Sequence, residues 1–121
     1  MYRVQKRIEV SAMHHLELDY LSPCLNNHGH NWIITVTVSG QELNKNGMIF
    51  DFKHIKEFIH DSMDHKNLNE VFDFNPTAEN IAKWIADQVD LRLRIKDRQD
   101  VWCTKVEVQE SEGNIAIWER Q

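Results

Sequence analysis

Six of the seven residues in the run Trp32-Ile33-Ile34-Thr35-Val36-Thr37-Val38 are branched at Cβ. Such side chains are stiff about their first torsion and crowd a helix, but they pack well on a pleated surface. The run is therefore a strand, and Gly40 closes it. Such a strand needs partners beside it and a layer above it. Tyr2, Val4, Ile8 and Val10 supply a first partner, because they alternate with polar residues, with Lys6 interrupting the apolar face. This predicts a strand over Tyr2 to Val10.

The middle of the chain changes period. Phe52, Ile55, Phe58, Ile59 and Met63 recur every three or four residues, so a helix is expected from Phe52 to Met63 with Asp51 as its N-cap. A second helix starts after Pro76, with Thr77 as cap and Ile81, Trp84, Ile85 and Val89 as its apolar stripe, and ends near Leu93. Trp102, Thr104, Val106 and Val108 alternate again. Glu112-Gly113-Asn114 then offers turn chemistry before Ile115 and Ile117, which reads as a closing hairpin. The order ββααββ points to an α+β fold, a four-stranded antiparallel sheet with two helices on one face. Such a sheet leaves two open edges and one bare face, and self-association into a barrel resolves both. A ring-shaped homo-oligomer is expected.

A chain of 121 residues suits one domain, residues 1–121. Its 14 basic and 19 acidic residues give a formal charge of -5, which speaks against a nucleic-acid partner. Apolar runs are too short to span a bilayer, no export signal opens the chain, and a cytoplasmic location is expected. Two cysteines make no disulfide framework, so both are expected as thiols. Cys103 reads as an inert strand thiol.

Chemistry concentrates in Cys24-Leu25-Asn26-Asn27-His28-Gly29-His30, which leads into the apolar strand. In an extended segment His28 and His30 point to the same side and converge, and Gly29 leaves room. Three protein ligands with one open position describe a catalytic zinc, and four describe a structural one. The third ligand would come from His14 or His15, which antiparallel pairing brings near; on spacing alone either serves. Cys24 reads equally as a fourth ligand of a closed site or as a base beside an open one. A solvated histidine pair is the plain alternative.

Further segments fall into a pattern. Ser11-Ala12-Met13-His14-His15-Leu16, the Cys-x-x-x-His-Gly-His run, Gly47-Met48-Ile49-Phe50-Asp51-Phe52, Asp64-His65 with Leu68-Asn69, Pro76-Thr77-Ala78-Glu79-Asn80 and Glu110 follow in order. Over nearly its whole length the sequence resembles the tunnel-fold pterin synthases, which include 6-pyruvoyltetrahydropterin and 6-carboxytetrahydropterin synthases. Met13 and His15 depart from that family's pattern, which usually has a small residue and often Arg there.

The resemblance implies a Zn2+ site of His14, His28 and His30, with Cys24 as the base and Asp64 and His65 handling the other proton. It also implies that Glu110, aided by Thr77, receives the exocyclic amine and ring NH of a pterin. Glu107 lies on the opposite strand face. For a triphosphate tail only Lys6, Arg7 and His15 come forward as candidates. Three residues between Cys24 and His28 resemble the bacterial carboxy-forming enzymes of queuosine biosynthesis. The implied activity is a lyase converting 7,8-dihydroneopterin triphosphate to 6-carboxy-5,6,7,8-tetrahydropterin, acetaldehyde and triphosphate. Alternatives are 6-pyruvoyltetrahydropterin formation and, in another class, a non-catalytic zinc-stabilised binding module. The family analogy suggests a homohexamer.

Overall fold

The computed structural model describes all residues, 1–121. In chain order the elements are β1 (Tyr2–His14), β2 (His28–Gly40), α1 (Lys53–Met63), β3 (Lys66–Asn67), α2 (Leu68–Val71), α3 (Ala78–Ile95), β4 (Val101–Ser111) and β5 (Asn114–Glu119). The sheet order is β3-β1-β2-β4-β5, so the Trp32–Val38 run lies in its central strand. β2 pairs antiparallel with β1 on one side and with β4 on the other.

Trp32, Ile34, Val36 and Val38 turn to one face and are fully buried there. They meet Ile55, Ile59 and Met63 of α1 and Ile81, Ile85, Val89 and Leu93 of α3 in one core cluster. Both long helices thus cover the same face, as expected. The other face is mixed, with Ile33, Ile115 and Ile117 among polar side chains, and the buried hydroxyls of Thr37 and Ser39 there are satisfied by Gln5 and Thr104. No helix is long and apolar enough to cross a membrane.

Several expectations need correction. The first two strands are longer than Tyr2–Val10 and Trp32–Val38, because the backbone ladder continues through polar residues to the pair His14–His28. Side-chain alternation ends before backbone pairing does. The sheet has five strands and is mixed: β3, only two residues long, pairs parallel to β1 at Ala12 and Met13. It carries no periodicity to read. His65, in the left-handed region at φ 57, turns the chain into β3, and its amide donates to the Ser11 carbonyl at 2.6 Å.

Asp51 Oδ1 accepts the amide of Lys53, the first residue of α1, at 2.9 Å, so it receives a first-turn amide as expected, although Phe52 occupies the N-cap position itself. Thr77 does cap α3, accepting the Asn80 amide at 3.1 Å, and that helix runs to Ile95 rather than Leu93. In β4 the register to β2 slips by one residue at Thr104, which reverses the alternation. Val101 and Cys103 are therefore buried with Val106 and Val108, while Trp102 is exposed. Trp102 does not share the face of Val106, Val108 and Glu110. Burial and the nearby Asp90 carboxylate push the Cys103 thiol up to about 12, so it stays protonated, as an inert thiol should.

Candidate metal centre and active site

The β1–β2 register sets His14 opposite His28 and Ala12 opposite His30. Residues 12, 14, 28 and 30 share the face of Trp32, so the three imidazoles extend the core beyond its apolar end. His14 is fully buried and lies edge-on to His28 and His30, with ring centroids 4.4 and 5.4 Å away. Trp32 packs against His14 and His30 and anchors its indole N–H on the Ala12 carbonyl at 3.1 Å.

Outer contacts orient two of the rings. His14 Nδ1 lies 2.8 Å from the Pro76 carbonyl, and His28 Nδ1 lies 2.8 Å from the Asn26 carbonyl. A carbonyl accepts only, so both rings carry a proton on Nδ1, and each Nε2 is left to face inward. Burial, opposed by the Pro76 carbonyl and reinforced by His28, holds the His14 pKa below the ordinary histidine value. A neutral ring is the form that ligates metal.

Glu110 enters the same space. Its Oε1 is 3.3, 3.7 and 2.9 Å from Nε2 of His14, His28 and His30, and one ligand atom from each of the four lies within 4.8 Å of the others. Even so, His30 Nε2 is buried without an aligned hydrogen bond. An inward-facing nitrogen left unpaired among two further imidazoles and a carboxylate suits a divalent cation. The four residues can hold a metal ion.

His15 stands apart. Its amide donates to Asn69 Oδ1, and its ring faces Asn27 and Glu17. The structure thus brings His14, not His15, to His28 and His30. Cys24 sits on a 3-10 turn, Pro23–Leu25, where Ser22 Oγ accepts its amide and its carbonyl accepts the Leu16 amide. It is a half-buried free thiol outside the four-donor group, so a closed site with Cys24 as fourth ligand is not formed.

Asp64 and His65 are not part of the histidine cluster either. Asp64 ends α1, its Oδ1 accepts the Ser11 amide at 2.9 Å, and its Oδ2 is 3.5 Å from His65 Nε2 and 3.8 Å from His60 Nδ1. His65 is 82% exposed, on the β3 edge of the sheet. Glu110 also lines a cleft of about 340 Å³ with Ala78, Glu79 and Asn114–Ile117, next to Thr77 at the head of α3. Of the three candidates for a triphosphate tail, Lys6 and Arg7 stand eight and seven residues from His14 on β1, which is on the order of 25 Å along a strand.

Sequence reasoning missed the groups that hold this arrangement. Asn69 clasps the His15 backbone through both its amide atoms, and Asn75 clasps Glu17 in the same way. With the Pro76 carbonyl they pin the β1 exit to the segment leading into α3. The available signal was an asparagine beside each motif, Asn69 after Asp64-His65 and Asn75 just before Pro76-Thr77.

A family model described as 6-pyruvoyl tetrahydropterin synthase matches residues 3–121. The chain belongs to that family. Relatives in this pterin synthase family include the 6-carboxy-5,6,7,8-tetrahydropterin synthase of Bacillus subtilis (strain 168), 29% identical over 97% of this chain and 84% of the relative. The 6-pyruvoyl tetrahydrobiopterin synthase of Homo sapiens is 30% identical over 96% of this chain and 90% of that protein. Among solved structures, the 6-pyruvoyl tetrahydropterin synthase of Caenorhabditis elegans superposes with a TM-score of 0.77 at 24% identity, covering 99% of this chain and 96% of that one. The fold is therefore the tunnel fold of the pterin synthases.

Proposed function

We propose that this family member is a zinc-dependent carbon-carbon lyase. It converts 7,8-dihydroneopterin triphosphate and water to 6-carboxy-5,6,7,8-tetrahydropterin, acetaldehyde and triphosphate. The carrying observation is the convergence of His14, His28 and His30 beside Glu110, at the mouth of a cleft between α3 and β5. The short Cys24–His28 spacing and the likeness to the Bacillus protein favour the carboxy product. In a cell this would be a cytoplasmic step of queuosine (7-deazapurine) biosynthesis.

Zinc held by the three imidazoles would supply Lewis acidity toward the oxygens of the substrate side chain. Glu110 accepts the exocyclic amine and ring NH of the pterin, with Thr77 assisting, and so fixes the ring in its cleft. Cys24 would serve as the base that removes a proton from the substrate side chain. His65, oriented by Asp64, handles the other proton. Because His65 lies at a sheet edge, the catalytic set is completed in a homo-oligomer, which the family analogy puts at a hexamer.

The test incubates zinc-loaded protein with dihydroneopterin triphosphate and identifies the products. Acetaldehyde with the carboxypterin is expected. A second reading, triphosphate elimination to 6-pyruvoyltetrahydropterin, is favoured by the human relative's 30% identity and would show as a pyruvoyl product. No consumption of substrate would leave the third reading, a zinc-stabilised binding module in which Glu110 is a permanent fourth ligand.

A further inference from the structure

Leu16 and Cys24 close a small ring of backbone. The β1–β2 ladder ends on the pair His14–His28, and beyond it the Leu16 amide donates to the Cys24 carbonyl at 2.7 Å. Cys24 is thereby tied to both ligand-bearing strands, by the chain to His28 and by this bond to the segment that follows His14. Its other backbone bond, from its amide to Ser22 Oγ, stays inside its own turn. The loop that joins Leu16 to Cys24 leaves Tyr20 63% and Leu21 96% exposed, so it packs too little to hold that turn in place.

Residues 15–17 belong to no helix or strand, and the Leu16 amide needs another means of support. Successive residues of an extended backbone turn their N–H and C=O groups to opposite sides. His15 and Glu17 turn theirs to Asn69 and Asn75, and Leu16 is left to face Cys24. Each asparagine acts as a strand partner would. Asn69 accepts the His15 amide at 2.8 Å and donates to its carbonyl at 3.0 Å, and Asn75 does both for Glu17 at 2.9 Å. Asn75 also reaches the histidine cluster through its backbone. Its carbonyl accepts the Thr77 amide at 2.8 Å, a γ-turn centred on Pro76, and the Pro76 carbonyl is the group that orients His14. The backbone of Asn75 thus serves His14, while its side chain serves the Cys24 turn.

We propose that Asn75 is a positioning residue of the reaction: through Glu17 and Leu16, its side-chain amide sets where the Cys24 thiol stands relative to the three imidazoles. The proposal rests on Cys24 as the base of the pterin reaction, whereas the tether itself does not.

The test combines steady-state kinetics of the zinc-loaded protein on dihydroneopterin triphosphate with the rate at which iodoacetamide alkylates Cys24 in the metal-free native chain. Cys103, buried and pushed up to about 12, stays silent in the second measurement. Asn75→Ala should lower kcat by up to about a hundredfold, the cost of a misplaced catalytic group, with KM and zinc content near those of the wild type. Alkylation should become severalfold faster as the turn comes free. Asn69→Ala, which frees His15 on the other side of Leu16, should show the same two changes and decides the matter if Asn75→Ala does not fold. Asn44→Ala, which removes the side-chain bonds of a turn beyond the far end of β2, should change neither. Wild-type kcat and alkylation rate in a folded Asn75→Ala overturn the proposal, as does a kcat lost only together with zinc. Were zinc-loaded Cys24→Ala still to turn over, the functional reading would fall, whereas faster alkylation in Asn75→Ala would still establish the tether.

Discussion

Glu110 belongs to two neighbourhoods, the three imidazoles through Oε1 and the cleft between α3 and β5. A catalytic zinc keeps one position open, so the enzyme reading requires this carboxylate to give way to the pterin. Glu110→Gln is accordingly expected to retain about one zinc per chain by metal analysis while KM rises roughly tenfold or more with the loss of a charged partner. Metal lost from Glu110→Gln as readily as from His28→Ala would make Glu110 a ligand. Cys24→Ala should likewise keep its zinc but lose turnover, and collapse of the fold or of metal affinity would count against the base. His14 carries a pH signature. Its folded pKa lies below the ordinary value, chiefly through burial, so in between the unfolded chain binds the additional proton. Stability is then fully present above about pH 6.5 and declines as the pH falls through that value toward the folded pKa. With a chelator present, the urea midpoint should fall between pH 8 and pH 5.5, and His14→Gln should flatten that slope. The geometry behind these expectations was partly legible in the sequence. Alternation placed His28 with His30, and the same two-residue phase carried on from Ile8 and Val10 through Ala12 reaches His14 and not His15, a signal that stopping the first strand at Val10 left unused.

At the level of elements, the legible ones were those whose side chains repeat. The helices α1 and α3 and the apolar half of β2 follow from periodicity, since burial of one face dictates residue type at fixed spacing. β3 and the bulge at Thr104 were not legible, because a two-residue strand and a one-residue slip are set by backbone hydrogen bonds with no pattern of their own. The bulge puts Cys103 and Val106 on one face despite their odd spacing, and a second irregularity, against β5, falls at Glu110 itself. Thr77 shows where a legible element carries function. Its oxygen accepts the Asn80 amide at the head of α3, while its hydroxyl proton remains available to a ligand in the neighbouring cleft. Thr77→Ala should therefore lower stability by about 1 kcal/mol, as for other N-caps, and weaken pterin binding as well. Thr77→Ser, which preserves cap and donor, should restore both in denaturation and KM measurements. Stability lost without any change in KM would confine Thr77 to capping.

For the whole molecule, the sheet poses a problem that one chain does not solve. β3 covers β1 only at Ala12 and Met13, so most of one edge is open, and β5 leaves the other edge open. On β5, Ile115 and Ile117 are 53% and 55% exposed, an apolar pair on an edge strand. Open edges of this kind invite pairing with another copy, and a head-to-tail contact that closes makes a ring. Such a ring sets the β3 edge of one chain, with His65, beside the β5 edge of the next, next to Glu110. On the proposed function, such a ring would let the histidine cluster of one chain and the Asp64–His65 pair of the next serve one site. Two measurements follow. Ile117→Lys should lower the mass measured by light scattering and reduce turnover together. Mixing Cys24→Ala with His65→Gln, each inactive alone, and allowing subunits to exchange should restore activity. With random neighbours, about a quarter of the interfaces would join an intact Cys24 to an intact His65. A mixture that stays inactive after verified exchange would place both groups in the same chain's site, and the ring would then need another explanation than catalysis.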